Sequence, residues 1–238
     1  MRVAVIPARG GSKRIPRKNI REFCGQPMIA WSIQSALASG CFDRVIVSTD
    51  DSEIASTAIR FGAEAPFLRP ARLADDYTGT TAVVKHAVNE LQAGGERCNE
   101  VCCIYATAPF VCAKDLRRGF ELLQKSGGDY AFSVTSYSFP IQRALRINAN
   151  QRISLFQPEH ADTRSQDLVE TFHDAGQFYW GTAQAWLDAR IIFGPDSIPV
   201  YLPRHRVQDI DTLEDWQRAE LMFIAWRQLG GQDADPSL

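Results

Sequence analysis

The sequence lacks any strong excess of charge: 26 Lys and Arg face 28 Asp and Glu, leaving a formal charge of -2 over 238 residues. That balance excludes a surface built as a whole to attract nucleic acid or an anionic membrane, so a bound anion must be met by a local patch. No run approaches the roughly 20 apolar residues of a membrane-spanning helix. The opening Met1-Arg2-Val3-Ala4-Val5-Ile6-Pro7 also lacks the apolar core and small-residue cleavage site of a signal peptide. The expected address is the cytoplasm. The six cysteines show neither paired CxxC spacing nor a disulfide framework, which argues against structural zinc and against stapling. Cys102 and Cys103 lie in an apolar run where neighbours face opposite sides of a strand, so two buried thiols are expected. Neither GxGxxG nor GxxxxGK[ST] occurs, which weakens dehydrogenase and P-loop ATPase readings.

What is present is alternation. Short β-branched runs at residues 2–8, 44–49, 101–106, 130–135, 177–181 and 198–202 interleave with stretches of helical period at 27–39, 52–61, 80–91, 113–125, 182–189 and 212–229. This pattern predicts an α/β fold, a mostly parallel sheet with helices on both faces. Met28, Trp31, Ile33 and Leu37 are expected inward on the first helix, and Leu213, Trp216, Ala219, Phe223 and Trp226 form the stripe of the last. Gly62 can end the second helix from the left-handed conformation. Between residues 136 and 174 the rhythm fails, with short pieces at 144–147 and 152–156 broken by Pro140, Asn148, Asn150 and Pro158. An inserted antiparallel flap is expected there, within one domain spanning 1–229, followed by a disordered tail at 230–238.

Ligands of open α/β sheets sit beyond the carboxyl ends of the strands, and the first strand runs into Pro7-Ala8-Arg9-Gly10-Gly11-Ser12-Lys13-Arg14-Ile15-Pro16-Arg17-Lys18-Asn19. The first 21 residues hold seven Lys or Arg and no acid. Two glycines allow close backbone approach, Ser12 offers a hydroxyl, and Arg9, Lys13, Arg17 and Lys18 supply charge, which suits a triphosphate. A solvated basic surface loop is the plainer alternative. Near the other end, Gln208-Asp209-Ile210-Asp211-Thr212 carries a DxD in an extended segment. Residues i and i+2 there share a side, so Asp209 and Asp211 can hold one hard cation, although Asp211 can equally cap the last helix.

Pro7-Ala8-Arg9-Gly10-Gly11-Ser12-Lys13 with Lys18-Asn19, then Ser48-Thr49-Asp50-Asp51, Phe67-Leu68-Arg69-Pro70 and Asp209-Ile210-Asp211-Thr212 resemble the CMP-sugar synthetases that act on nonulosonic acids. The segments 140–143, 163–168 and 173–180 look most like the pseudaminic acid branch of that family. The resemblance implies a Rossmann-like nucleotidyltransferase fold, CTP and an acidic nine-carbon sugar as substrates, and Mg2+ as cofactor. It also implies a homodimer in which the flap of one subunit covers the sugar site of the other.

Carried over by position, the nucleotide-binding set is Ala8, Arg9, Gly10, Gly11, Ser12, Lys13, Lys18, Asn19, Arg69 and Thr80. Lys13, Asp209 and Asp211 form the catalytic set, the two aspartates as metal ligands. Tyr105, Thr107, Arg143, Arg164, Gln166 and Tyr179 form the sugar-binding set, Arg164 as the grip on the sugar carboxylate. His160 and His173 stand open between structural and pocket roles. Tyr105 occupies the place where sialic-acid enzymes carry a glutamine, and Ala175-Gly176-Gln177 replaces their Asn-Gly, so the sugar is expected to differ from plain sialic acid. Legionaminic, sialic and 3-deoxy-octulosonic acids are the alternative substrates. A sugar-1-phosphate nucleotidyltransferase is disfavoured by the lack of GxGTR, and a non-catalytic nucleotide-binding regulatory module is the alternative of another class.

Overall fold

A computed structural model describes residues 1–231 of the chain. The first half builds β1 (Arg2–Pro7), the two-residue strands β2 (Glu22–Phe23) and β3 (Gln26–Pro27), α1 (Met28–Ser39), β4 (Arg44–Ser48), α2 (Ser52–Arg60), α3 (Thr80–Ala93) and β5 (Glu100–Ile104). The second half builds α4 (Ala113–Ser126), β6 (Tyr130–Ser136), β7 (Leu145–Ile147), β8 (Ile153–Leu155), β9 (Phe172–Thr182), α5 (Ala183–Leu187), β10 (Ser197–Tyr201) and α6 (Leu213–Gln228). The central sheet has the order β10-β6-β9-β5-β1-β4.

The pairs β1/β4, β1/β5 and β10/β6 are parallel, whereas β9 runs antiparallel to both β5 and β6. The reversal has a local cause. Between β6 and β9 the chain makes its excursion through the β7/β8 pair and returns beside the strand it left, without the crossover helix that a parallel return requires. A bulge between Phe132 and Val134 marks the joint, where the buried Ser133 hydroxyl accepts from the amides of Gln177 at 3.3 Å and Phe178 at 3.2 Å.

Both faces of the sheet are covered, as the alternation predicts. Cys102 packs with Ile33 of α1, Ala58 of α2 and Leu116 of α4, while Cys103 packs on the opposite side with Val88 of α3 and Trp186 of α5. Each large apolar side chain fully buried in this way stabilises the fold by roughly 1.5–3 kcal/mol. A third cluster sets Trp216, Phe223 and Trp226 of α6 against Phe23, Met28 and Ile210. Two expected core residues are corrected. Leu213 is 53% exposed because it stands in the first turn of α6, and Leu37 is 47% exposed at the end of α1. Gly62 does adopt a positive φ of 94° just after α2.

On the β7/β8 flap, Leu145, Ile147, Ile153 and Phe156 all lie exposed. No helix among the described residues is long and apolar enough to cross a membrane. Of the expected tail, residues 232–238 lie outside the described residues.

Candidate functional site

β1 and β5 end at a cleft of about 540 Å³. Its walls carry Arg9, Ser12, Lys13, Lys18, Asn19, Arg69 and Thr80, seven residues of the expected nucleotide set, joined by Tyr105 and Thr107 from the segment after β5. Local hydrogen bonds explain the placement. Asn19 is buried and donates to Arg9 O at 2.9 Å, fixing the turn that presents the Arg9 side chain. The Asp50 carboxylate accepts from Gly10 N at 3.1 Å and lies 3.5 Å from Arg69 Nη2. A Cβ on Gly10 would stand 2.7 Å from Asp51 Oδ2, so this glycine serves the approach of Asp51 to the loop. At Gly11 a Cβ would meet nothing within 4 Å. Neither glycine lines the cleft, and Ala8 lies buried in the core between its two lining neighbours, Pro7 and Arg9.

The cations of the cleft already face acids. Asp76 bridges Arg9 Nη1 at 2.7 Å and Lys13 Nζ at 2.5 Å, and these two partners hold its carboxyl below the usual carboxylate range, Lys13 foremost. Arg9 also donates to Asp75 O at 2.6 Å. Arg69 is only 5% exposed, its Nε has no hydrogen-bond partner, and burial lowers its pKa against the opposing pull of Asp50. An incompletely satisfied guanidinium in a cleft wall is a ready receptor for an anion. Arg17 goes elsewhere. With φ at 57° it turns to Asp51 and Glu53, both at 2.5 Å, and leaves the cleft lining to Arg14.

A second cavity of about 560 Å³ adjoins the first through Tyr105 and is otherwise lined by His173, Asp174, Ala175, Gly176, Val207, Gln208 and Asp209. Of the DxD, Asp209 lines this cavity and Asp211 lines neither. Ile210 is 1% exposed in the core under α6 while Asp209 and Asp211 reach the surface, the alternation of an extended chain. The two ends of the chain meet here. Lys18 Nζ donates to Ile210 O at 2.6 Å across 192 residues and stands 3.5 Å from Asp211 Oδ1, while Arg14 Nη1 pairs with Asp211 Oδ2 at 2.8 Å.

Helix capping does not occupy these aspartates, because Thr212 and Asp215 form a reciprocal capping box at the start of α6. The Asp209 carboxyl is raised above its ordinary value, first by burial and then by the neighbouring Asp211, with Lys18 opposing. Asp209 and Asp211, the latter already facing Arg14 and Lys18, offer two hard oxygen donors that fit a magnesium ion, which takes one or two carboxylates and completes its shell with phosphate and water oxygens. They do not fit a closed zinc cage: no cluster of three or more His, Cys, Asp or Glu is arranged for a metal among the described residues.

The expected sugar set is divided. Tyr105 lines both cavities, Thr107 only the first, and Tyr179 neither: its ring is 2% exposed and its hydroxyl donates to Asp174 Oδ2 at 2.5 Å. Arg143, Arg164 and Gln166 line neither cavity. Gln166 borders a separate hollow on the flap, Arg164 pairs with Asp167 at 2.7 Å, and Arg143 donates to Ser165 Oγ at 3.3 Å. His173 lines the second cavity. Sequence reasoning missed Arg14, Asp75, Asp76, Thr78 and Asp174. The adjacent acids Asp75-Asp76 were visible, but nothing in their spacing says that they close on a loop more than 60 residues earlier.

The family model described as cytidylyltransferase matches residues 3–190. The chain is 46% identical over 221 residues to a pseudaminic acid cytidylyltransferase of Campylobacter jejuni subsp. jejuni serotype O:2, covering 93% of this chain and 95% of that one. It is 31% identical over 225 residues to a CMP-N,N'-diacetyllegionaminic acid synthase of Legionella pneumophila, with coverage of 93% and 95%. Among solved structures, a CMP:2-keto-3-deoxy-manno-octonic acid synthetase complexed with CTP superposes with a TM-score of 0.70 at 16% identity, covering 94% of this chain and 98% of that one. That last likeness speaks for the fold alone. With a matched profile over most of its length and relatives aligned almost end to end, this nucleotidyltransferase belongs to the cytidylyltransferase family.

Proposed function

We propose that the chain is a cytoplasmic enzyme that joins CTP to an acidic nine-carbon sugar, pseudaminic acid first among the candidates, releasing pyrophosphate in a magnesium-dependent reaction. One observation carries this reading: the basic loop after β1 and the DxD before α6 meet through Lys18, Arg14 and Asp211, with Arg14 and Lys18 lining the first cavity and Asp209 the second. The first cavity is cationic and suits the triphosphate, and the second suits the sugar. The relatives named above act on pseudaminic and diacetyllegionaminic acids, which sets the order of substrates to try.

In the proposed reaction the anomeric hydroxyl oxygen bonds to the α-phosphorus of CTP and gives up its proton to water as the bond from that phosphorus to the pyrophosphate oxygen breaks. Such a transfer asks for alignment and charge stabilisation rather than a covalent nucleophile. The chain's thiols agree with that, since burial raises the pKa of Cys102 and Cys103, and that of Cys24 to about 11. Arg9, Lys13 and Arg69 bind the phosphates, with Arg9 and Lys13 exchanging Asp76 for phosphate oxygens, and Lys18 keeps the loop against the DxD segment. Magnesium held by Asp209 and Asp211 would add positive charge beside the phosphate oxygens.

We further propose a homodimer. The exposed Leu145, Ile147, Ile153 and Phe156 need cover, and Arg164 and Arg143 of the flap reach neither cavity of their own chain. A second copy supplying its flap answers both facts, bringing a guanidinium to the sugar carboxylate. The test is pyrophosphate release from CTP and magnesium with pseudaminic, legionaminic and sialic acids in parallel. Release with pseudaminic acid is expected, and no release with any of the three overturns the reading.

A further inference from the structure

The second cavity is lined by two acids, Asp174 and Asp209, and by no Lys or Arg. Asp209 belongs to the metal pair. Asp174 has no part in the chemistry derived above, yet its side chain is held with care. Its backbone sits opposite Val134 in the β6/β9 pairing, Gly176 N donates to Oδ1 at 2.9 Å, and the Tyr179 hydroxyl donates to Oδ2 at 2.5 Å. Burial raises the Tyr179 pKa, which keeps that phenol a donor. An ionised carboxylate has about four acceptor positions and no donor, so roughly two positions remain after these bonds.

From this geometry we infer that Asp174 determines sugar specificity, its carboxylate accepting a hydrogen bond from an acylamino N–H or a hydroxyl at the end of the sugar remote from its acid group. The inference rests on the proposed reaction at the same site. Two physical reasons support it. The acid group of the sugar is bonded to the carbon that carries the reacting anomeric hydroxyl and so stays with the phosphates and the metal pair, which leaves the remote end of the sugar, with its neutral donors, to meet Asp174 in a wall that carries no Lys or Arg. A fixed buried-edge acceptor also rejects a sugar lacking the matching donor far more strongly than an apolar wall rejects a change of size, because the acceptor would be left unpaired. Tyr179 thereby serves as a positioning residue: it touches Asp174 and no cavity.

The test uses the full chain with CTP and magnesium, varying the sugar at saturating CTP and CTP at saturating sugar, for wild type, Asp174→Asn and Tyr179→Phe. Asp174→Asn keeps the shape and exchanges an acceptor for a donor. The expected result is a sugar KM raised roughly tenfold or more with the CTP KM within about twofold, and a smaller rise in the same direction for Tyr179→Phe. A sugar KM within about twofold of wild type, or both KM values rising together, overturns the inference. Should Asp174→Asn fail to show the rise in melting temperature that CTP with magnesium gives the wild type, Tyr179→Phe decides alone by the same split. Repeating the comparison with a sugar whose acylamino groups are replaced by hydroxyls separates the donors: a loss confined to the acylamino sugar assigns the N–H, and an equal loss assigns a hydroxyl. Wild type that releases no pyrophosphate with any nine-carbon acid sinks the proposed reaction instead, an outcome distinct from normal wild-type turnover with an indifferent Asp174→Asn.

Discussion

Arg206 Nη1 lies 2.7 Å from Asp115 Oδ2, a buried ion pair that ties the turn before the DxD segment to α4. The same Arg206 nitrogen donates to Cys112 Sγ at 2.9 Å, and Gln177 Nε2 of β9 donates to Arg206 O at 2.5 Å. Two separate parts of the chain, the start of α4 and β9, thus hold the segment that leads to Asp209. Asp115→Ala leaves the guanidinium buried beside a cavity and is expected to cost about 3–5 kcal/mol in denaturant unfolding. The double change Asp115→Leu with Arg206→Met removes both charges and should recover most of that loss. A single variant within about 1 kcal/mol of wild type would show that the pair is not what anchors the turn.

Asp211→Ala takes away one proposed metal ligand while the Thr212–Asp215 capping box remains. Turnover is expected to fall by roughly two orders of magnitude or more with the melting temperature nearly unchanged. Pyrophosphate release at the wild-type rate would remove Asp211 from the metal site.

Asp76→Asn releases Arg9 and Lys13 from their exposed partner. CTP affinity measured calorimetrically should then rise roughly twofold to fivefold, since surface ion pairs of this kind are weak. Weaker binding would mean that Asp76 orders the cations rather than competing for them.

The Asp51 carboxyl is held below its ordinary value, chiefly by Arg17, and it caps α2 by accepting from the amides of Glu53 and Ile54. A depressed folded value means that its contribution is complete above the unfolded value of about 3.9 and is lost as pH falls through the folded one. Asp51→Asn should therefore lose stability at neutral pH and flatten the acid limb below about pH 4. Parallel acid-unfolding curves for the two proteins would contradict this.

Arg164→Ala should raise the sugar KM and leave the CTP KM alone. If the flap acts across the dimer, mixing Arg164→Ala with Asp211→Ala subunits should restore a sugar KM near wild type in part of the population, because one site of each mixed dimer is intact. No recovery on mixing would place Arg164 outside the partner's site.

The alternation of β-branched runs with helical periods was enough to place the strands and helices of the central fold, because each is a local property of spacing. It also marked the break at the flap, through prolines and asparagines. The direction of β9 was not legible: its run is short and apolar whichever way it pairs, and only the return from the flap beside β6 made it antiparallel. Arg14 and Arg17 show the same limit within the basic loop. Both are arginines between glycines and Lys18, and a single residue with positive φ sends Arg17 to the acids of α2 and leaves Arg14 to meet Asp211.

What the sequence determined by itself was the supply of chemistry: cations crowded behind the first strand, two carboxylates one residue apart before the last helix, and the two buried thiols of Cys102 and Cys103. What only the tertiary structure decided was adjacency. Contacts across 192 residues, such as Lys18 to Ile210, depend on strand order and helix packing, which no local spacing encodes. The same holds for Asp174, an ordinary residue of a strand end until Tyr179 fastens it at the mouth of a cavity.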